Sequence, residues 1–158
     1  MKHIAKQQWM GCAVAAAAML ADRSYEEVAA HWPDLDEARM RSPRELCTLL
    51  EAVTDTEWYL APCWHPQPRV ANFVSPSWPV VVWIQDADLR PQFGQWIVID
   101  HGIVHDPGER TSYPVSSYPL RGWVAKLVAQ PALPEELARS RDPQRRQEQR
   151  NLSEQRAG

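Results

Sequence analysis

The sequence predicts an α+β protein in which N-terminal helices precede a mostly antiparallel β-sheet. Helix signatures, namely a run of alanines and two Ser-x-x-Glu capping boxes, are confined to residues 12–54. After residue 55 the apolar residues fall instead into short β-branched and aromatic runs separated by proline and glycine. The length of 158 residues suits a single domain with a core of its own.

The first predicted helix covers residues 12–22 and begins at Cys12. Five alanines within residues 13–18 favour a helix and leave little side-chain bulk, so neighbouring backbones can approach it closely. Gly11 would allow a tight turn into the first helical residue. We therefore expect a central buried helix rather than a surface one.

Two further helices are predicted from their capping residues. Residues 25–31 follow Ser24, whose hydroxyl is expected to accept from the backbone of Glu27 in a capping box. Residues 43–54 follow Ser42 in the same way, with proline at the first helical position. Apolar residues recur at helical spacing in this third helix and predict one core-facing side: Leu46, Leu49, Leu50 and Val53.

Strands are predicted at residues 56–62, 79–85, 95–100, 103–106 and 121–129. The continuous β-branched and aromatic run of the second strand is typical of a strand buried on both faces. His101 and Gly102 separate the third and fourth strands and predict a two-residue hairpin turn. A Pro-Gly pair predicts another turn just after the hairpin.

Charge, hydropathy and ligand spacing exclude several functional classes. A net charge of −3 leaves no basic footprint of the kind that nucleic-acid binding needs. No stretch approaches the roughly eighteen apolar residues of a membrane span. Neither His101 with His105 nor Cys63 with His65 belongs to a recognisable four-ligand spacing, so no metal and no cofactor is predicted.

The N-terminal region and the cysteines predict a cytoplasmic location. Three cysteines without paired spacing indicate a reducing compartment. An export signal is the alternative, because Lys2 and Lys6 precede an apolar run. That run consists mostly of alanine and is a weak signal, so the cytoplasmic interpretation is preferred.

Residues 1–130 are predicted to form the single domain, and residues 131–158 a charged tail rich in arginine and glutamine. The tail has too few apolar residues to order itself alone. It is interpreted either as a disordered segment or as a solvated helix that docks on a larger assembly.

Cys12 is the first candidate functional residue. A helix N-terminus stabilises a thiolate through its unpaired N–H groups and its dipole. Catalysis needs in addition an imidazole base, a group that orients the base, and donors for the oxyanion. The alternative is a small buried filler, since free cysteine is among the most buried residue types.

Several features follow one another in a set order along the chain: Gln7 or Gln8, Cys12, the Ala18-Met19 pair, a buried strand starting with proline, the strand QWIVID, and Asp106-Pro107. Over residues 7–114 this order resembles the papain-like bacteriocin-processing (double-glycine leader) cysteine peptidases and their stand-alone relatives. The resemblance implies a papain-like fold, with Cys12 as the nucleophile on a central helix packed against the sheet. It further implies that Gln7 or Gln8, with the Cys12 N–H, stabilises the oxyanion, and that Asp106 orients the base.

One position departs from the family pattern. Where the family's catalytic histidine would open the hairpin strand, this chain has Gln95. A carboxamide can neither take a proton from a thiol nor form the imidazolium that stabilises a thiolate. The resemblance therefore predicts the place of a nucleophile but not its base.

The hairpin turn decides which side chain faces Gln95. With the two-residue turn, residue 98 opposes residue 105, so Gln95 and Asp106 share one face and His105 lies on the other. A three-residue turn would shift the register and bring His105 onto the Gln95 face as a substitute base. His101 would lie at the turn tip. The two-residue turn is the favoured arrangement.

Three functions remain open from the sequence. The first is a thiol peptidase that hydrolyses peptide or related amide bonds through Cys12, with His105 or His101 as its base. The second is an inactive pseudopeptidase that binds a peptide or protein partner in the retained cleft. The third is an accessory protein whose tail docks on a larger assembly.

Overall fold

A computed structural model describes residues 1–7, 11–32, 43–63, 66–87 and 94–132. It confirms the predicted α+β class, because within these ranges three α-helices precede all six strands of an antiparallel sheet. Two single-turn 3-10 helices lie between the strands, at Val70–Asn72 and Val115–Ser117. Among the helices of these described ranges, none is both long and apolar enough to cross a membrane.

The three helices begin at the residues predicted from the sequence. Helix α1 covers Cys12–Ala21 and ends at Asp22, whose φ of 51° is left-handed. Helix α2 covers Tyr25–Ala29 and has the complete Ser24–Glu27 capping box, but it ends two residues earlier than predicted. Helix α3 covers Pro43–Thr54 and buries the four predicted apolar residues. Ser42, the predicted cap of α3, lies outside the described residues.

The six strands form one sheet in the order β1-β6-β2-β3-β4-β5. Strand β2 lies between β6 and β3 and is buried along most of its length, as its continuous apolar run predicts. Strand β5 was not predicted, since three residues are too few to show an alternating pattern. The bounds are Trp58–Pro62 for β1, Val80–Gln85 for β2, Gly94–Asp100 for β3, Ile103–His105 for β4, Ser112–Pro114 for β5 and Val124–Pro131 for β6.

Strand β6 continues past residue 130, where the predicted tail begins. Pro131 belongs to β6 and is opposite Trp58 of β1, and the Ala132 N–H donates to the carbonyl of Glu57 at 2.8 Å. The rest of the predicted tail, from residue 133, lies outside the described residues.

The sheet separates two apolar cores. On one face α1, α2 and α3 pack against inward-facing strand residues, among them Trp96 and Val98 of β3. The neighbouring residues Ile97 and Ile99 face the second core, which is closed by the two 3-10 helices and their flanking loops. Because side chains alternate along a strand, Gln95 lies on the side of this second core.

The hairpin between β3 and β4 has the predicted two-residue turn. His101 and Gly102 both have positive φ, 49° and 77°, which matches the right-handed twist of the strands they connect. Val98 is opposite His105, and Asp100 is opposite Ile103. This register confirms the favoured arrangement and rules out the three-residue turn.

Candidate functional site

The predicted nucleophile lies where helix α1 meets the start of β3. Strand β4 pairs with β3 only from Val98 to Asp100, so it does not cover the first residues of β3. The half-buried Cys12 lies at this place, with its thiol against the backbone N–H of Trp96. Residue 96 directly follows Gln95 in the chain, so the Cys12 thiol contacts the backbone one residue away from the position that differs from the family pattern.

The surroundings of Cys12 favour the neutral thiol. Burial raises the pKa of this thiol above its ordinary value, and this effect exceeds the opposing ones from the Trp96 N–H and the Lys6 ammonium. The N–H groups of Cys12 and Ala13 at the start of α1 also favour the thiolate, as expected at a helix N-terminus, but their effect is smaller. Position at a helix start has therefore not made this cysteine acidic.

Gln95 is held by two buried groups. Its side-chain Nε2 donates to Asp106 Oδ2 at 2.7 Å and contacts the Tyr118 hydroxyl at 3.3 Å. The Tyr118 hydroxyl itself donates to the same Oδ2 at 2.6 Å. The orientation of the carboxamide follows from this chemistry, because a carboxylate oxygen only accepts and must therefore face the NH₂ group.

Asp106 is the centre of this group of side chains. Only 1% of its surface is exposed, so its carboxylate depends on protein donors. Its Oδ2 accepts hydrogen bonds from Gln95 Nε2 and the Tyr118 hydroxyl, and its Oδ1 accepts one from the backbone N–H of Gly108 at 2.7 Å. The bond to Gly108 is the turn that an Asp-Pro-Gly sequence is expected to form. Asp106 thus stabilises the turn and also accepts a hydrogen bond from Gln95.

Tyr118 was not identified from the sequence. It is fully buried in the second core, and burial together with the adjacent Asp106 raises the pKa of its phenol far above the ordinary value. A buried tyrosine hydroxyl requires a hydrogen-bond partner, but nothing in the local sequence indicates which one. It follows Asp106 by 12 residues and Gln95 by 23, in a segment without a motif.

The N-terminal segment is bound to the same turn. The Lys6 N–H donates to the carbonyl of Pro107 at 2.9 Å, and His3 Nε2 donates to the carbonyl of Asp106 at 2.9 Å. Gln7, a predicted oxyanion donor, instead donates its side-chain N–H to the carboxylate of Glu26 on α2. Gln7 is therefore hydrogen-bonded to α2. Gln8 lies outside the described residues.

The predicted substitute bases lie elsewhere. His105 is on the sheet face opposite to Gln95 and shares a hydrogen bond of 2.7 Å between its Nδ1 and Ser112 Oγ. The pKa of His105 is lowered, mainly because the imidazole is buried. His101 is exposed at the turn tip and pairs with Asp100. The alternative in which His105 shares a face with Gln95 is thus wrong, because the turn has two residues and strand side chains alternate.

The described parts of the chain hold no group of three or more His, Cys, Asp or Glu side chains that could bind a metal ion. A comparison with models of known protein families and with curated proteins finds no match to the chain.

Proposed function

We propose that this chain is a non-catalytic relative of the papain-like cysteine peptidases, a cytoplasmic pseudopeptidase that binds a peptide or protein partner. One observation carries the proposal: a carboxamide, that of Gln95, is hydrogen-bonded to Asp106 where the resemblance calls for an imidazole. The Gln95 nitrogen is a donor in these contacts and has no lone pair for a proton. Asp106 therefore orients a group that cannot act as a general base.

The thiol supports the same proposal. A nucleophilic cysteine needs a lowered pKa or an adjacent base, and the pKa of Cys12 is raised by burial. The two histidines considered as bases are engaged with Ser112 and Asp100. A site that lacks both requirements cannot carry out the proton transfer of a cysteine peptidase.

A thiol hydrolase remains the second candidate function, and a specific feature favours it. The Cys12 sulfur lies next to the N–H groups of Trp96, Cys12 and Ala13, a set of donors suited to developing negative charge. Catalysis by this route would require Cys12 to ionise without an imidazole on the Gln95 face.

The pH dependence of Cys12 alkylation tests the proposal. Iodoacetamide reacts with the thiolate, and each unit of pKa above the working pH lowers the thiolate fraction about tenfold. Because the pKa of Cys12 is raised, we expect its alkylation in the full chain to be slow at neutral pH. The rate should keep rising with pH beyond the ordinary thiol value of about 8.5. Mass spectrometry of the peptides that contain each cysteine measures the three rates separately.

Cys47 and Cys63 are internal controls, because burial raises the pKa of both thiols and neither lies at a helix N-terminus. Alkylation of Cys12 that is complete near neutral pH, well before either control reacts, would show an activated thiolate. That result would overturn the pseudopeptidase proposal in favour of the hydrolase.

Binding is tested with a displayed library of unstructured peptides selected on the full chain. Selected peptides should keep their affinity for Cys12→Ala, because thiol chemistry has no part in the proposed function. They should lose it after N-ethylmaleimide modifies Cys12 in alkaline buffer, because the adduct fills the site. Cys12→Ala treated with the same reagent is the matched control, since it undergoes every modification except the one at residue 12. Cleavage of the selected peptides, or equal binding to the modified wild-type chain, would contradict the proposal.

A further inference from the structure

A row of paired residues crosses the end of the sheet where Cys12 lies. Four residues form this row by successive pairing: Gly94 of β3, Gln85 of β2, Val124 of β6 and Arg69. Directly opposite residues share a face of the sheet, and Gly94 shares its face with Trp96, which packs in the core on the helix side. Cys12 packs against the same core, so the row leads away from the thiol along the helix side of the sheet.

The indole of Trp83 lies over the first residue of this row. A Cβ atom added to Gly94 would be 2.5 Å from Cζ2 of Trp83, so glycine is needed there to leave room for the ring. Trp83 is opposite Trp96, and the two ring centroids are 5.3 Å apart. The Trp96 side chain is fully buried, whereas Trp83 is only half-buried. Part of the Trp83 side chain is therefore accessible, one strand away from the backbone N–H that the Cys12 thiol contacts.

The other end of the row carries two exposed arginines. The Arg69 guanidinium donates to the carbonyl of Gly122, and the carbonyl of the adjacent Arg121 accepts from the N–H of Ala71, so the two arginines are neighbours. Within the described ranges no carboxylate forms an ion pair with either arginine. Asp86, the acidic residue nearest to the row in sequence, has an interaction partner of its own. This end of the row therefore presents positive charge to a bound partner.

We propose that the bound peptide lies along this row, with an aromatic side chain on Trp83 and a carboxylate at Arg69. The inference rests on the proposed function and deepens it by naming the chemistry of the partner. Neighbouring strands are about 4.8 Å apart, so roughly 14 Å separates Gly94 from Arg69, which an extended chain covers in about four residues. The partner is therefore an extended segment in which an aromatic residue and an Asp or Glu are about four residues apart. Aromatic rings pair favourably with indole, and carboxylates with guanidinium.

Alkylation of Cys12 by designed peptides tests the proposal. The probe is the peptide Phe-Gly-Gly-Glu-Glu-amide with an iodoacetyl group on its N-terminus, which reacts with the thiol and brings the phenylalanine within reach of Trp83. Two matched probes replace the phenylalanine with glycine, or both glutamates with glutamine. Mass spectrometry gives each rate at Cys12 of the full chain in one alkaline buffer. Division by the rate with free glutathione removes differences in the reactivity of the probes themselves.

The aromatic probe should label Cys12 roughly two- to tenfold faster than its glycine counterpart, the range expected for an aromatic pair. Trp83→Leu should remove this advantage. Trp32→Leu is the matched control and should retain it, because Trp32 is also half-buried against the same core but follows α2. Equal rates of the two probes in the wild type, or an advantage that survives Trp83→Leu, would overturn the proposal. The wild-type comparison needs no variant and decides the question even if Trp83→Leu does not fold.

The glutamate probe should label Cys12 roughly two- to fivefold faster than the glutamine probe at low salt, as expected for exposed ion pairs. Arg69→Gln should reduce this difference, whereas Arg44→Gln should not, because Arg44 is an exposed arginine on α3. A difference that is absent in the wild type or unchanged in Arg69→Gln would contradict the proposal. Each comparison is a ratio of two rates at one thiol, so the ionisation of Cys12 cancels. This inference and the pseudopeptidase proposal can therefore fail separately.

Discussion

Replacing Gln95 with histidine is expected to convert Cys12 from an unreactive thiol into a thiolate at neutral pH. The variant would place an imidazole beside Asp106, one residue from the Trp96 N–H that the Cys12 thiol contacts. Cysteines next to an imidazolium ionise with pKa values of roughly 3.5–7.5. A more acidic thiolate is a weaker nucleophile, yet alkylation at neutral pH should still become roughly tenfold faster or more.

The measurement is the rate of iodoacetamide alkylation against pH, resolved for Cys12 by mass spectrometry. The pKa of Cys12 should be shifted downwards in the variant, whereas it is shifted upwards in the wild type. With increasing pH, the variant's alkylation rate should therefore level off below the ordinary thiol pKa, where the wild-type rate is still rising. Gln130→His is the matched control, because it adds the same side chain in β6, where Gln130 contacts Tyr59. Equal rates for Gln95→His and the wild type would mean that residue 95 does not act on Cys12.

Replacing Asp106 with alanine is expected to cause the largest loss of stability. The change removes the acceptor of three donors at once, namely Gln95 Nε2, the Tyr118 hydroxyl and the Gly108 N–H. Each buried donor left without a partner costs roughly 1–3 kcal/mol. Gly108 is exposed, so its N–H can form a hydrogen bond with water instead. With the two other donors left unpaired, we expect the free energy of unfolding to fall by about 3–5 kcal/mol.

Urea unfolding of the full chain measures this loss, and two variants calibrate it. Asp106→Asn retains the shape and one acceptor oxygen, so it should cost less than alanine. Asp100→Ala removes a carboxylate that pairs with the exposed His101, and such surface pairs contribute about 0–1 kcal/mol. If Asp106→Ala and Asp100→Ala had equal effects, the buried hydrogen bonds of Asp106 would not stabilise the fold.

Local sequence was sufficient to predict the features that local chemistry determines. The capping box of Ser24 and Glu27 requires only residues three apart, and the His101-Gly102 turn determines the register of the strands on either side of it. That register in turn predicted that Gln95 and Asp106 share a face, and the structure joins them by a hydrogen bond.

Contacts between residues far apart in the chain could not be predicted from local sequence. Tyr118 reaches Asp106 only because the loop after β5 folds back over the second core. The contact of His3 with the carbonyl of Asp106 joins residues 103 positions apart. No spacing rule connects such residues, because tertiary packing and not local geometry brings them together. For the same reason, the engagement of Gln7 with Glu26 could not be foreseen.

The alanines of α1 have a mechanical consequence for the residue at its start. Residues 13 to 19 are all buried, and five of them are alanines, which have no side-chain rotamers to change. A helix lined with long side chains can absorb a small displacement by rotating them, but α1 cannot. A bulky substitution at Ala17 or Ala18 would therefore shift the whole helix as a rigid rod. The shift would reach Cys12 nearly undiminished, so the position of the thiol relative to β3 is controlled from the far end of the helix.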